Sequence, residues 1–255
     1  MKTQRKRLFF DIEVSPNIGL FWTSGYKLNI GTENILKERS IICIAYKWEH
    51  ESETHCLTWD RKQSDKKLLQ DFLKVADKAD EMVAHNGDKF DLTFIRTRCL
   101  FHGLQMFPKY VTIDTLKIAR SKFRFNSNKL NYIAKYLGIG QKIHTDFDLW
   151  KTILIDKDAK SLDKMVKYCK MDVVLLEKVY DKLRNHIEPK THFGVIFNQD
   201  RGSCRECGSD ELISNGYRIS ASGMKCIRYQ CQTCGKYQQR NESSNNKGVK
   251  KNASK

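Results

Sequence analysis

Apolar and polar positions recur along the chain at two periods, and the change of period separates strands from helices. Arg7–Val14, RLFFDIEV, reads as a strand. An irregular stretch with Pro16 and several glycines follows, and then Ile41–Trp48 and Thr54–Trp59, rich in β-branched and aromatic residues, read as a pair of strands. Within Gln63–Ala79, apolar residues at Leu68, Leu69, Phe72, Leu73 and Ala76 keep helical spacing. Short strands are predicted at Glu81–His85 and Val111–Ile113, and helices at Phe90–His102, Leu116–Arg120 and Leu130–Leu137, the last closed by Gly138. Ser161–His186 reads as one long helix capped by Ser161, with Leu162, Met165, Val166, Cys169, Val173, Leu176, Val179 and Leu183 as its apolar stripe. Early strands followed by interleaved helices predict an α/β fold, a mixed sheet with helices on its faces.

The pattern divides the chain into a body over residues 1–188, a cysteine-rich module over 201–240 and a polar, basic end over 241–255 that is expected to be disordered. With 255 residues, 40% of them hydrophobic, the body can bury a sizeable core. No run approaches the roughly 20 apolar residues of a membrane-spanning helix. The opening MKTQRKRLFFDIEV is basic then apolar like a signal peptide, but Asp11 and Glu13 break its apolar run. The expected setting is the cytoplasm of a bacterium or of a phage-infected host. A net charge of +16 points to a polyanionic partner, of which nucleic acid is the commonest; a merely solubilising surface is the alternative. No basic amphipathic helix suggests a membrane surface instead.

Four carboxylates stand out by their settings. Asp11 and Glu13 lie two apart in an apolar strand, so both point to one face. Like charges side by side on a central strand repel and cost desolvation, a penalty that a divalent cation removes; an edge strand with its acids in water is the alternative. Asp91 stands at the start of a helix, where the helix dipole favours an acid in any case. Asp172 follows Tyr168 by four residues in the long helix, and the lysines at 164, 167 and 170 also allow an ordinary solvated face. Asp114 is a spare acid and a secondary candidate for a supporting role, and Asp146 and Asp148 read as loop residues.

Taken in order, these segments resemble the DEDD exonucleases of the RNase H-like superfamily. FDIE resembles their first motif, Asn86–Asp91 the second, N-x₃-[F/Y]-D, and Tyr168–Asp172 the third in its tyrosine form, Y-x₃-D. Lys167 stands where the histidine subtype would have His, so the resemblance is to the DEDDy branch: the proofreading domains of family B DNA polymerases and stand-alone phage and bacterial relatives. It covers residues 6–186. The resemblance implies a 3′–5′ exonuclease using two Mg²⁺ or Mn²⁺ ions. Asp11, Glu13 and Asp172 would hold the metal that activates water, with Asp11 bridging to a second metal supported by Asp91. Tyr168 would orient the water, since a phenol with a pKa near 10 is a poor base. Asn86 would position the substrate strand, DNA in preference to RNA.

Two further segments bear on binding. Residues 119–129 interleave Arg120, Lys122, Arg124 and Lys129 with Phe123 and Phe125, a pattern that suits phosphates and unpaired bases or, equally, a basic loop with its phenylalanines turned inward. Trp22 and Tyr26 are similarly open.

Of nine cysteines, Cys43, Cys56, Cys99 and Cys169 are scattered without pairing logic, while five crowd the end of the chain. That distribution suggests a reducing compartment and one metal site. Cys204-x₂-Cys207 and Cys231-x₂-Cys234 are two knuckles 23 residues apart, each followed by glycine, and predict structural Zn²⁺. Cys226 breaks the spacing and reads as a core residue. The module resembles the zinc ribbons of insertion-sequence transposases. Its basic residues, Arg201, Arg205, Arg218, Lys225, Arg228, Lys236 and Arg240, favour nucleic-acid contact over a purely structural or protein-binding role. Two rival readings of the whole chain are an RNase H-like endonuclease on structured nucleic acid and a non-catalytic zinc-ribbon DNA-binding factor.

Overall fold

The computed structural model describes residues 5–23, 25, 30–143 and 145–242. Two compact units make up these residues, Lys6–Tyr180 and a second formed by Arg5 with residues 181–242. The larger unit is built on a five-stranded sheet of order β5-β4-β1-β6-β7. Its strands are β1 (Arg7–Val14), β4 (Ile41–Trp48), β5 (His55–Thr58), β6 (Glu81–Ala84) and β7 (Thr112–Asp114). β1 pairs antiparallel with β4 and parallel with β6, so the sheet is mixed and β1 is its middle strand. Acids on an exposed edge are thereby excluded for Asp11 and Glu13. The stretch expected to be irregular contains a small second sheet, β2 (Ile18–Gly19) against β3 (Ile35–Lys37).

Alternation along β1 assigns its two faces. Leu8, Phe10 and Ile12 join the buried cluster with Leu69 and Phe72 of α1 (Lys66–Ala76) and Leu92 and Ile95 of α2 (Asp91–Phe101). Phe9 points the other way, its ring edge-on to Tyr180 at 5.4 Å, on α6 (Ala159–Leu183). Asp11 and Glu13 share the parity of Phe9 and face α6 with it. Ser161 lies inside α6 instead of capping it; the Asp158 carboxylate accepts its N–H at 2.7 Å. The remaining helices of this unit are α3 (Thr115–Lys122), α4 (Leu130–Tyr136) and α5 (Phe147–Lys151), followed by a π-helical turn at Thr152–Asp156. α5 corrects the loop reading of Asp146 and Asp148: Asp146 caps that helix and Asp148 lies within it.

Asp65 ties α2 to the sheet. Its buried carboxylate accepts Arg98 Nε at 2.7 Å, Arg98 Nη2 at 2.9 Å and the Ile41 N–H at 2.9 Å, and lies 2.6 Å from His102 Nε2. Burial alone would raise its pKa, but the Arg98 hydrogen bonds and the others hold it below the ordinary value. A carboxyl depressed in the fold contributes stability that is complete above the unfolded pKa near 4 and is lost as pH falls through the lower folded value. Asp65→Asn is therefore expected to cost about 3 kcal/mol at pH 7, because it leaves Arg98 buried without its counter-charge. The gap should narrow toward pH 3, as urea unfolding of the two proteins at both pH values would measure.

The smaller unit carries α7 (Phe193–Ile196) and a three-stranded antiparallel sheet, β8 (Leu212–Ile219), β9 (Lys225–Cys231) and β10 (Tyr237–Asn241), with β9 in the middle. β10 was not foreseen, and Asn241, assigned from sequence to the tail, closes it. Glu242 is also described, and the remainder of that expected tail, 243–255, lies outside the described residues, as does Tyr26.

Candidate active site and metal centre

Asp11 and Glu13 leave β1 toward α6, and Asp172 comes to meet them from the helix. Carboxylate oxygens of the three lie within 4.8 Å of one another. Asp172 is only 1% exposed and belongs to the buried stripe of α6 with Cys169, Val173 and Leu176, which rules out a solvated face at that position. Asp91 stands outside this trio. It opens α2, and its Oδ1 accepts the backbone N–H of Ile12, between the two β1 acids, at 3.2 Å.

The electrostatics follow from burying these groups together. Burial, then repulsion from Asp91, Glu13 and Asp172, drives the Asp11 pKa well above the carboxylate range. Burial and Asp172 push Glu13 up to about 8; burial pushes Asp91 up to about 7 and also raises Asp172. Among the described residues, the cation beside these acids is Lys142, which was not singled out in the sequence. Its Nζ lies 2.5 Å from Asp172 Oδ2 and 3.4 Å from the Tyr168 hydroxyl. Against burial, Asp172 holds the Lys142 ammonium above its ordinary pKa, while burial and Asp172 push the Tyr168 phenol up to about 12. Among the described residues, one ammonium thus faces four carboxylates, and Asp172 Oδ1 is buried with no hydrogen-bond partner. An all-oxygen donor set with an unsatisfied buried oxygen suits hard divalent cations.

Asp114 has a different task. Its Oδ1 accepts the N–H groups of Leu116, at 2.9 Å, and Lys117, capping α3, and that of Asn86 at 2.9 Å, fixing the turn before α2. Asn86 sits at φ +71°, a left-handed conformation that asparagine tolerates. Asn86, Arg120 and Lys129 line a cavity of about 610 Å³ together with His85, Asn131 and Lys142. Lys122 and Arg124 are exposed outside that lining. Phe123 and Phe125 are half-buried and stack on each other at 5.4 Å. Trp22 is fully exposed. Cys43, Cys56 and Cys169, scattered in sequence, are free thiols that meet closely enough to shift one another's titration, and Cys169 Sγ donates to the Asp11 carbonyl at 3.5 Å.

In the smaller unit, Cys204, Cys207, Cys231 and Cys234 bring four sulfurs within 4.8 Å of one another, with Cys204–Cys234 at 3.7 Å and Cys207–Cys231 at 3.6 Å. A tetrahedral zinc with bonds of about 2.3 Å separates its sulfurs by roughly 3.8 Å, so the group fits Zn²⁺. Gly208 and Gly235 turn each knuckle at φ +78° and +72°. Backbone N–H groups of Cys234 and Thr233 overcome burial and bring the Cys231 thiol down to about 7. Cys226 is buried outside the four, against Asn241 Oδ1 at 3.1 Å.

A mixed sheet with a carboxylate cluster on its middle strand, closed by a long helix, defines an α/β domain with a nuclease-like core. The chain belongs to the RNase_H superfamily, whose family profile matches residues 8–184. It is 32% identical over 123 residues to a PolC-type DNA polymerase III of Ureaplasma parvum, an alignment covering 46% of this chain and 8% of that protein. Its fold is similar to that of the family B DNA polymerase from the archaeon Pyrobaculum calidifontis, with a TM-score of 0.56 at 15% identity over 71% of this chain and 25% of the other. The chain thus spans a small part of either polymerase. Among the described residues, no helix is long and apolar enough to cross a membrane.

Proposed function

We propose that residues 1–188 form a 3′–5′ exonuclease domain of the DEDDy type that hydrolyses phosphodiester bonds, DNA in preference to RNA, and that residues 201–240 form a zinc ribbon followed by a basic tail. The observation that carries the reading is the convergence of Asp11, Glu13 and Asp172 within 4.8 Å, with Asp91 bonded to the strand between the first two. Two Mg²⁺ or Mn²⁺ ions, held by Asp11, Glu13 and Asp172 and supported by Asp91, would supply an acidified water and charge stabilisation at the phosphate.

The chain's own groups do the rest. The Tyr168 hydroxyl stays protonated throughout the neutral range and orients the attacking water by a hydrogen bond without taking its proton. Lys142, beside Asp172 and Tyr168, offers a fixed positive charge to an oxygen of the scissile phosphate. Asn86, Arg120 and Lys129 hold the strand that enters the neighbouring cavity, with the two cations on its phosphates. The four thiolates hold a structural Zn²⁺ that folds the ribbon.

The test is incubation with 5′-labelled single- and double-stranded DNA and RNA in Mg²⁺, in Mn²⁺ and in divalent-free buffer. Stepwise shortening from the 3′ end that needs a divalent ion is the expected result, and a blocked 3′ end should stall it. Internal cuts on the blocked substrate would favour the endonuclease instead. No cleavage in either cation leaves a non-catalytic body and ends the proposal.

A further inference from the structure

The three strands of the smaller unit contain no Asp or Glu, yet they carry Arg218, Lys225, Arg228 and Arg240. The structure sorts these cations. Arg240 is half-buried, its guanidinium over the Tyr229 ring at 5.1 Å and bonded to the Ser203 carbonyl at 2.8 Å. Lys225 pairs with Glu242. Lys236, just before β10, is buried against Glu206 and the Arg184 carbonyl. Arg218 and Arg228 remain exposed, and neither makes an ion pair among the described residues.

Register puts these two on one face. Arg218 stands opposite Cys226 and Arg228 opposite Gln239, and Cys226 and Arg228 are two apart on β9, so all share a parity. Arg218 reaches across to Gln239 Oε1 at 3.4 Å. The next rung on that face holds Ile213, Gln230 and Tyr237, in register with one another. Ile213 is 47% exposed and Tyr237 50%. Arg228 therefore lies one rung, about 7 Å, from a row with an open aromatic ring, an open aliphatic group and an amide, and Arg218 stands one rung beyond Arg228, its guanidinium reaching back to Gln239.

The geometry points to this outer face of β8-β9-β10 as a platform for single-stranded nucleic acid, with Arg218 and Arg228 on successive phosphates and Tyr237 stacked on an unpaired base. Charge complementarity selects a polyanion, because the strands are wholly without carboxylates. The exposed ring selects a single strand, because paired bases hide the faces on which a tyrosine stacks. The inference does not depend on whether the acidic cluster of the larger unit hydrolyses anything.

Fluorescence anisotropy of the full chain with single- and double-stranded DNA and RNA oligonucleotides, in divalent-free buffer over a range of NaCl, tests it. The double variant R218Q/R228Q should bind single strands at least tenfold more weakly, with the slope of log affinity against log salt reduced by about 1.4. Tyr237→Ala should lose roughly 5- to 100-fold for single strands, keep the parent slope and leave duplex binding unchanged. Zinc content measured after denaturation should stay at the parent value in both variants, which separates lost contacts from an unfolded ribbon. If both variants bind like the parent with full zinc, the face has another partner, such as a protein, and the proposal fails. Equal weakening of single-stranded and duplex binding by Tyr237→Ala would remove the single-strand assignment.

Discussion

Asp11→Asn is expected to lower divalent-dependent cleavage by roughly 10³-fold or more while leaving the protein folded. Removing one charge-stabilising group at a reacting centre already costs about 10²–10³ in other enzymes, and Asp11 is the acid repelled by all three others. The same substitution should raise the thermal midpoint in divalent-free buffer. Asp11 is half-buried and faces Asp91, Glu13 and Asp172, so the folded state disfavours its charge and a neutral amide of the same shape relieves that cost. Each kcal/mol relieved is worth about 2–4 °C in a protein of this size. Cleavage lost with stability gained is the signature of a group kept for chemistry. A purely structural acid would show the reverse, cleavage retained and a lower midpoint, and that outcome would sink the catalytic assignment. Mn²⁺ binding by calorimetry gives a second readout and should weaken in the variant.

The contrast with Asp65→Asn sharpens the argument. Asp65 is fully buried and Asp11 half-buried, but Asp65 is surrounded by Arg98, His102 and an N–H group and sits below its ordinary pKa, whereas Asp11 is surrounded by carboxylates and sits well above it. One contributes stability to the fold and the other costs it. Opposite signs of the stability change in the two variants, measured under the same conditions, follow directly.

What the sequence revealed depended on whether a pattern repeats. β1 was legible at its bounds because Leu8, Phe9, Phe10, Ile12 and Val14 flank the two acids, and burial on both sides of a middle strand makes those flanking positions apolar on either face. α6 was legible because its stripe persists for seven turns. β2 and β3 span two and three residues, too few for any period to register. β10, YQQRN, is polar because a small sheet beside a cysteine cluster has little core for its strands to face, so hydrophobicity carries no signal there. Lys142 was invisible for another reason: it comes from an irregular segment between α4 and α5 and matters only through its distance to Asp172. The meeting of Cys43, Cys56 and Cys169 likewise arises from pairing between β4 and β5 and from the docking of α6, neither of which cysteine spacing encodes.

Removing zinc should unfold the smaller unit's sheet and leave the larger unit standing. β8 has a single half-buried position, Leu212, and seven exposed ones, so its strand has almost no apolar surface to bury. The buried residues of this sheet are Cys226, Tyr229, Cys231 and Gln238, of which Cys231 belongs to the sulfur group itself. Structural zinc contributes an apparent ~10–16 kcal/mol in small thiolate modules, far more than such a core can supply. Cys204→Ser should therefore abolish tight zinc binding and expose β8 to β10 to amide exchange within the dead time of the measurement. Amides of β1, β4 and β6, paired within the larger sheet, should keep the protection of the parent. Cys226→Ser, by contrast, alters a cysteine outside the sulfur group and should retain one zinc per chain. Persistence of slow exchange in β9 after the Cys204→Ser change would mean that the sheet folds without its metal, and the four thiols would lose their assignment as a structural site.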